Sequence, residues 1–419
     1  MKIKPLANDF KILMQSKDPD KIWSCSPGIC ICPSGRLVAS GGLRGPGIAS
    51  LPGCKSTFAQ GRIFISDDHG QSWRKVVEYP FQHARPFVAG DKLYVLGHDN
   101  DLMIISSEDW GITWSAPVRM TRGQKWHQAP CNVHYANGCV YLVMEREVYD
   151  DCRAWSPSVL APVLMRGRVG DDLTLFENWT FASELVFRDA FEDQDLVQQG
   201  ITFFPINSKT YYYPAPGREF APPGWLETNV FQIYDPSHYW YDPEGKTLHL
   251  IARLHCGWTG RAALLTVKEQ GDIPGTGEMI TGFQKLPSGG ECRILPLPGG
   301  QMKFHVQYDK QTELYWLLST QATDSMTRAE ALSEGRYNLP NNQRTRLVLH
   351  FSKNMVDWCF AGLVAASENE VESRHYAGMV IDGEDLHILS RSGDRSASSA
   401  HNGNLITFHT VKGFRALIY

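Results

Sequence analysis

The chain has 419 residues, 42% of them hydrophobic, and a formal net charge of −4. That charge argues against a nucleic-acid or anionic-membrane partner, and no apolar run approaches the length of a membrane span. Twelve Trp and sixteen Tyr offer faces on which sugar rings stack, and they equally suit the inter-sheet layers of a β-rich protein.

The first residues, Met1-Lys2-Ile3-Lys4-Pro5, lack a hydrophobic signal core. A cytoplasmic location is therefore expected, or a secreted or periplasmic one if a signal peptide has been removed. The ten Cys contain no Cys-x-x-Cys pair and read as free, buried thiols.

In chain order, one pattern recurs: an apolar strand, a tight Gly-containing turn, a second apolar strand. It spans Gly28–Ser40, Pro86–Leu96, Cys131–Val143, Tyr239–Ile251, Cys292–Phe304 and Gly378–Leu389. Asn-Gly and Asp-Gly turns between apolar runs are hairpin signals. Six hairpins, each followed by further strand-like sequence, predict an all-β fold, a six-bladed β-propeller occupying residues 1–419 as one domain. The interval from Gly138 to Gly245 is long enough to leave room for a seventh blade. Loop insertions are expected around 146–230, with Tyr211–Gly217 and Ala221–Trp225 at the mouth of the ring, and around 322–345, helical at Thr327–Ser333. Asn404–Val411 is expected to close the ring.

A second pattern overlies the first. Ser66-Asp67-Asp68-His69-Gly70-Gln71-Ser72-Trp73 returns as Ser107-Glu108-Asp109-Trp110-Gly111-Ile112-Thr113-Trp114, and an altered copy stands at Ser352–Trp358. Each follows a short apolar run, as a turn between antiparallel strands does. The Asp accepts hydrogen bonds from turn amides, the Gly supplies an unusual dihedral and the Trp packs beneath. These copies resemble the Asp-box that marks sialidase-like β-propellers.

In a propeller the innermost strands surround an axial funnel. The residues leading into each hairpin and those trailing from it look into that funnel. Leading positions hold Cys25/Ser26, His83, Arg85, His127, Ser237/His238, Glu291 and His375/Tyr376. Trailing positions hold Arg44, His98, Glu145/Arg146, Arg253, Gln307/Tyr308 and Arg391. A set so rich in His, Arg, Tyr and Glu suits an anionic or hydroxyl-rich ligand.

The resemblance to sialidases implies three arginines that clamp a carboxylate, a Tyr nucleophile, a Glu that activates it and an Asp acid/base. Gly290-Glu291-Cys292-Arg293 is similar to the segment bearing the family's Glu, and His375-Tyr376-Ala377-Gly378 to the one bearing its Tyr. Arg344 stands where the third arginine falls. The first arginine's place holds Cys25-Ser26, the second's place near Gln307 holds no Arg, and no acid/base Asp appears after Arg44 and before Asp67. The expectation is an exo-acting glycosidase of an acidic sugar, with Tyr376 and Glu291 as the nucleophilic pair and His83 and His127 as acid/base groups or hydroxyl contacts. Arg44, Arg85, Arg253, Arg344, Arg374 and Arg391 are the candidate substrate-binding residues. No cofactor is expected.

Two alternatives stand beside it. His83, His127, Tyr376, Arg253 and Arg374 suit a polysaccharide lyase, which needs a base for the C5 proton of a uronate, an acid for the leaving oxygen and a cation on the carboxylate. A propeller that only binds a glycan is the other. A zinc site from His255 and Cys256 with His238 or His305 has no recognised ligand spacing behind it.

Overall fold

A computed structural model describes residues 4–54, 56, 58–192 and 209–419. They form six antiparallel four-stranded blades around a central axis. From the axis outward, blade I comprises Trp23–Ser24 with Gly28–Ile31, then Leu37–Arg44, Ala59–Ser66 and Arg74–Tyr79. Blade II comprises Gln82–Ala89, Lys92–Asp99, Asp101–Ser107 and Val118–Arg119. Blade III comprises Trp126–His127 with His134–Ala136, then Cys139–Glu147, Leu160–Arg168 and Trp179–Phe181. Blade IV comprises Gly224–Phe231, Thr247–His255, Arg261–Glu269 and Met279–Gly282. Blade V comprises His305–Asp309, Leu314–Thr320, Arg346–Ser352 and Cys359–Ala366. Blade VI comprises Arg374–Asp382, Asp385–Ser392, Leu405–Val411 and, outermost, Lys11–Gln15.

Both ends of the chain therefore build blade VI. Leu405–Val411 is its third strand, and the closing strand is Lys11–Gln15, paired with it from Lys11–Phe408 to Gln15–Leu405. The expected closing segment, Asn404–Val411, thus lies in the closing blade as its third strand, and Lys11–Gln15 completes it.

Alternation along each strand gives every blade two apolar faces, and each face packs against a neighbour. Six buried clusters result, each drawn from two successive blades. Phe87, Tyr94 and Ile104 of blade II meet Val140, Leu142 and Trp179 of blade III. Trp316, Leu349 and Val364 of blade V meet Met379 and Ile388 of blade VI and Phe414 of the 3-10 segment Phe414–Leu417 that follows it. No helix among the described residues is long and apolar enough to cross a membrane, and all ten cysteines are free thiols.

Four of the six predicted hairpins lie where the pattern puts them. The other two are displaced. The inner strand of blade IV is Gly224–Phe231, and Tyr239–Tyr241 lies in the connection that follows. The first hairpin of blade V is His305–Asp309 with Leu314–Thr320, while Ile294–Pro296 pairs with the third strand of blade IV. The long interval after Gly138 thus holds three strands of blade III, the inner strand of blade IV and an insertion, with no seventh blade among the described residues. Part of that insertion is a hairpin, Tyr212–Ala215 with Arg218–Phe220. Its Ala215 and Phe220 pack on Ala329 and Leu339 of the second insertion, where Ala329–Ala331 makes one 3-10 turn.

The repeated Ser-x-Asp-x-Gly-x-Ser/Thr-Trp segments join third to fourth strands in blades I and II, and the altered copy does so in blade V. Asp109 accepts from the Thr113 N–H at 2.8 Å, the Thr113 hydroxyl at 2.6 Å and the Ile112 N–H at 3.0 Å. Trp73 packs edge-on to Phe408 of blade VI, 5.3 Å between centroids, so the turn also ties adjacent blades. Burial works against the Asp109 charge, but the donors from Thr113, Ser107 and Ile112 prevail and hold its carboxyl down to about 2. A depressed acid contributes its stability above the unfolded-state value and loses it as pH falls. Asp109→Ala is expected to cost about 1–2 kcal/mol at neutral pH, read by urea unfolding. The difference from wild type should shrink as pH falls from about 4 towards about 2. Asp109→Asn should cost less, since Asn354 uses its Oδ1 to accept from Val356 N at 3.0 Å and Asp357 N at 2.8 Å.

Candidate functional site

The inner strands of blades II, IV and VI share one irregularity. Their pairing shifts between Gln82 and Arg85, between Leu226 and Asn229, and between His375 and Gly378. Within these bulges His83, Glu227 and Tyr376 adopt φ of 48°, 57° and 49°, a left-handed conformation uncommon for non-glycine residues. The same three residues line one cavity of about 420 Å³ at a mouth of the ring. Alternate blades thus re-aim one side chain each into a common space. Backbone strain repeated at symmetric positions, each time under a functional group, marks a site.

At its floor the Arg253 guanidinium joins two of them. Its Nη1 donates to Glu227 Oε2 at 3.0 Å and to the Tyr376 hydroxyl oxygen at 3.0 Å, while Nε donates to the Gln301 carbonyl at 2.8 Å. Burial opposes the Arg253 charge, but Glu227 beside it prevails and keeps the guanidinium firmly protonated. Arg344 and Arg391 flank the Tyr376 ring, 5.6 and 5.8 Å from its centroid. Arg344 Nη1 meets His375 Nδ1 at 2.9 Å, and Arg44 Nη2 meets His401 Nε2 at 3.5 Å. Among the described residues Arg44, Arg344 and Arg391 meet no carboxylate. Burial, then the nearby Arg44, pull Arg391 down to about 9.

On the other side His83, His98 and His127 stand ring to ring, 5.7–6.2 Å between centroids. Burial is the first cause that depresses His83 well below the ordinary range and His98 to about 3, with neighbouring histidines and Arg44 adding to it. Both imidazoles are neutral at neutral pH. His127 is the accessible one, and its Nδ1 lies 3.3 Å from Glu145 Oε2. A carboxylate at Nδ1 favours the proton there and leaves Nε2 with its lone pair. Glu145 is itself held by the Thr228 N–H at 3.0 Å.

The insertions supply the rim. Tyr211 and Glu219 come from the first, Tyr337, Asn338 and Asn342 from the second, and Trp155 from the loop before blade III's third strand. Arg44, Lys125, Arg253, Arg344 and Arg391 outnumber the lining carboxylates Glu147, Glu219 and Glu227, and Glu147 pairs with Lys125 at 3.1 Å. With exposed aromatic faces above, the cavity suits a sugar bearing a negative charge.

The predicted residues His83, His127, Tyr376, Arg44, Arg253, Arg344 and Arg391 all line this cavity. Glu291 does not. It sits on a short ribbon, Gln284–Lys285 with Glu291–Cys292, where Lys285 Nζ holds it at 2.5 Å and Arg293 Nη2 at 2.9 Å. The displaced fifth hairpin explains the error, because a residue leading into a false hairpin has no reason to face the axis. Arg374 packs over the Phe10 ring at 4.7 Å and donates to the Ser373 and Gly393 carbonyls at 2.6 and 2.9 Å. Arg85 turns away from the cavity and lies below its floor. The zinc grouping also fails: His255 Nε2 bonds the Ala221 carbonyl and His238 Nε2 that of Asn354. The one three-residue grouping with metal-ligand spacing among the described residues is His69, Asp382 and His387.

Glu227, His401, Trp155 and Tyr337 line the cavity without having been selected, and His255, selected only as a zinc ligand, lines it too. Glu227 had a signal: Trp225-Leu226-Glu227-Thr228-Asn229-Val230-Phe231 reads as a strand interrupted by polar residues, as a bulged inner strand does.

No family model matches the chain, and no curated protein matches it in sequence. Solved structures resemble it in fold. A Trypanosoma rangeli sialidase in complex with sialic acid superposes with a TM-score of 0.53 at 13% identity, covering 99% of this chain and 60% of its own. A Hadza microbial sialidase gives 0.53 at 14% identity over 94% of this chain and 66% of its own. A Dyadobacter fermentans protein of unknown function gives 0.52 at 10% identity, covering 96% of this chain and 98% of its own. The chain thus has a sialidase-like propeller fold and spans less than two thirds of the length of those sialidases.

Proposed function

We propose that the protein is a carbohydrate-active enzyme that cleaves a glycosidic bond next to an acidic sugar, with Tyr376 as nucleophile. The observation that carries this reading is the shared contact of Tyr376 and Glu227 with one nitrogen of Arg253, beneath arginines that have no carboxylate of their own. Arg44, Arg344 and Arg391 bind the substrate's anionic group. A phenol attacks the anomeric carbon beside that group without the repulsion a carboxylate nucleophile would meet. Glu227, in the place first assigned to Glu291, is the base that takes the phenol proton, and Arg253, whose Nη1 donates to both groups, stabilises the phenolate that attacks. His127, oriented by Glu145, exchanges the proton with the leaving oxygen. As in the T. rangeli sialidase solved with sialic acid, the ligand proposed here is a sugar acid.

The His127–Glu145 contact supports a second reading. His127, its Nδ1 held by Glu145, suits removal of the C5 proton of a uronate through Nε2, with Tyr376 as the acid for the leaving oxygen and the arginines on the carboxylate. One experiment separates these readings. Purified protein is incubated with sialosides and uronate-containing glycans while released sugar and ultraviolet absorbance are followed. Free sugar without new absorbance is the expected result. Absorbance from an unsaturated uronate would replace hydrolysis with elimination. Binding without either product would reduce the protein to a glycan-binding propeller.

A further inference from the structure

Below the cavity floor the axis opens into a second chamber of about 290 Å³, lined by the inner strands of all six blades. Tyr376, Ala129 and Met302 pack together between the two spaces. No Asp or Glu lines the chamber, whereas Arg85, Lys310, His134 and His305 do. The Tyr376 floor therefore divides the axis into a cavity that mixes both signs of charge and a chamber that carries only positive charge.

Two buried groups point to what the chamber holds. Arg85 is 3% exposed. Its Nη2 donates to the Val143 carbonyl at 3.1 Å, while Nε and Nη1 have no partner among the described residues. His305 is 7% exposed, and its Nδ1 also lacks a partner. Beside it on the neighbouring blade is Gly378, where a Cβ would lie 3.8 Å from His305 Nδ1. Lys303, 1% exposed, adds a further buried cation beside them, its Nζ donating to the Ala377 carbonyl.

The buried charges at and below the floor do not balance. Arg85, Lys303 and Arg253 stand against Glu145 and Glu227. Glu227 is taken by Arg253 at 3.0 Å, and Glu145 by His127 and the Thr228 N–H. The Cys131 thiol on the chamber wall stays neutral, since burial pushes it up to about 12. A buried guanidinium with two unused N–H groups, whose nearby carboxylate Glu145 is already committed to His127 and the Thr228 N–H, is a costly arrangement. Water supplies an acceptor for such donors but not the missing negative charge.

We propose that the lower chamber is a second binding site that takes a small inorganic anion on the Arg85 guanidinium and the His305 imidazole. The anion replaces the missing carboxylate under blades II and III and fixes Arg85 against the Val143 carbonyl. This site is independent of the reaction in the upper cavity, and its test does not require activity.

Crystals of the full chain soaked in sodium bromide are expected to show anomalous density in the chamber, within hydrogen-bond reach of Arg85 Nε or Nη1 and of His305. In solution, replacing sodium gluconate by sodium bromide at constant ionic strength should raise the thermal midpoint of the wild type. Arg85→Met should remove that dependence. If the variant does not fold, the wild-type diffraction and the wild-type midpoint decide between them. Water alone in the chamber overturns the proposal. So does a bromide peak with no shift of the wild-type midpoint, which would mean binding at crystal concentration only.

Discussion

Replacing Tyr376 with phenylalanine is expected to lower kcat/KM by about 10³-fold or more while leaving the fold and sugar binding in place. The ring is 7% exposed and packs on Ala129 and Met302, and phenylalanine keeps that packing. What is lost is one oxygen. Arg253 keeps its bonds to Glu227 and to the Gln301 carbonyl, so the stability cost should stay near 1 kcal/mol. Steady-state kinetics together with calorimetric binding of the released sugar check this. A variant that retains a tenth of wild-type turnover removes Tyr376 from the chemistry.

Arg253→Met is expected to be the most destabilising single change in the site. It strands Glu227, 1% exposed, as a buried carboxylate without its cation, and breaking a buried pair in this way costs about 3–5 kcal/mol. Pairing it with Glu227→Gln should recover much of that loss, because the double variant buries no unpaired charge. Activity should be lost in both. Thermal unfolding of the two single variants and the double variant closes the cycle. If the double variant is no more stable than Arg253→Met, the pair does not act as a unit.

The fold was legible because its signals are local. Turn glycines, alternating apolar runs and the repeated Asp-containing turns each occupy a dozen residues or fewer, and they recur. Arg44, His83, His127 and Arg391 were legible for the same reason, since the ends of a correctly placed hairpin face the axis; Arg253 trails a hairpin whose first strand was misplaced, and Arg344 was found through the resemblance alone. Glu227 was not. Its strand is bulged, so the alternation breaks where the functional residue sits, and Pro222, Pro223 and Gly224 before it read as loop. Glu291 was misassigned because Pro296, Pro298, Gly299 and Gly300 mimic a hairpin turn while Ile294–Pro296 pairs with blade IV instead. Tyr211 was expected at the mouth of the ring and lies there, but the second insertion carries no periodic pattern, so nothing in it announced that Tyr337 would join the rim.

The joining of blade VI from both termini has a consequence for biosynthesis. Lys11–Gln15 leaves the ribosome before any of blades I to V, yet its hydrogen-bonding partner, Leu405–Val411, is made only after all five. Blades I to V can begin stacking during translation, but Lys11–Gln15 must wait as an unpaired edge strand until Leu405–Val411 has been made. Nascent chains stalled before Leu405 should therefore be open arcs, sensitive to proteases at their leading end, and acquire resistance in one step as the final strand emerges.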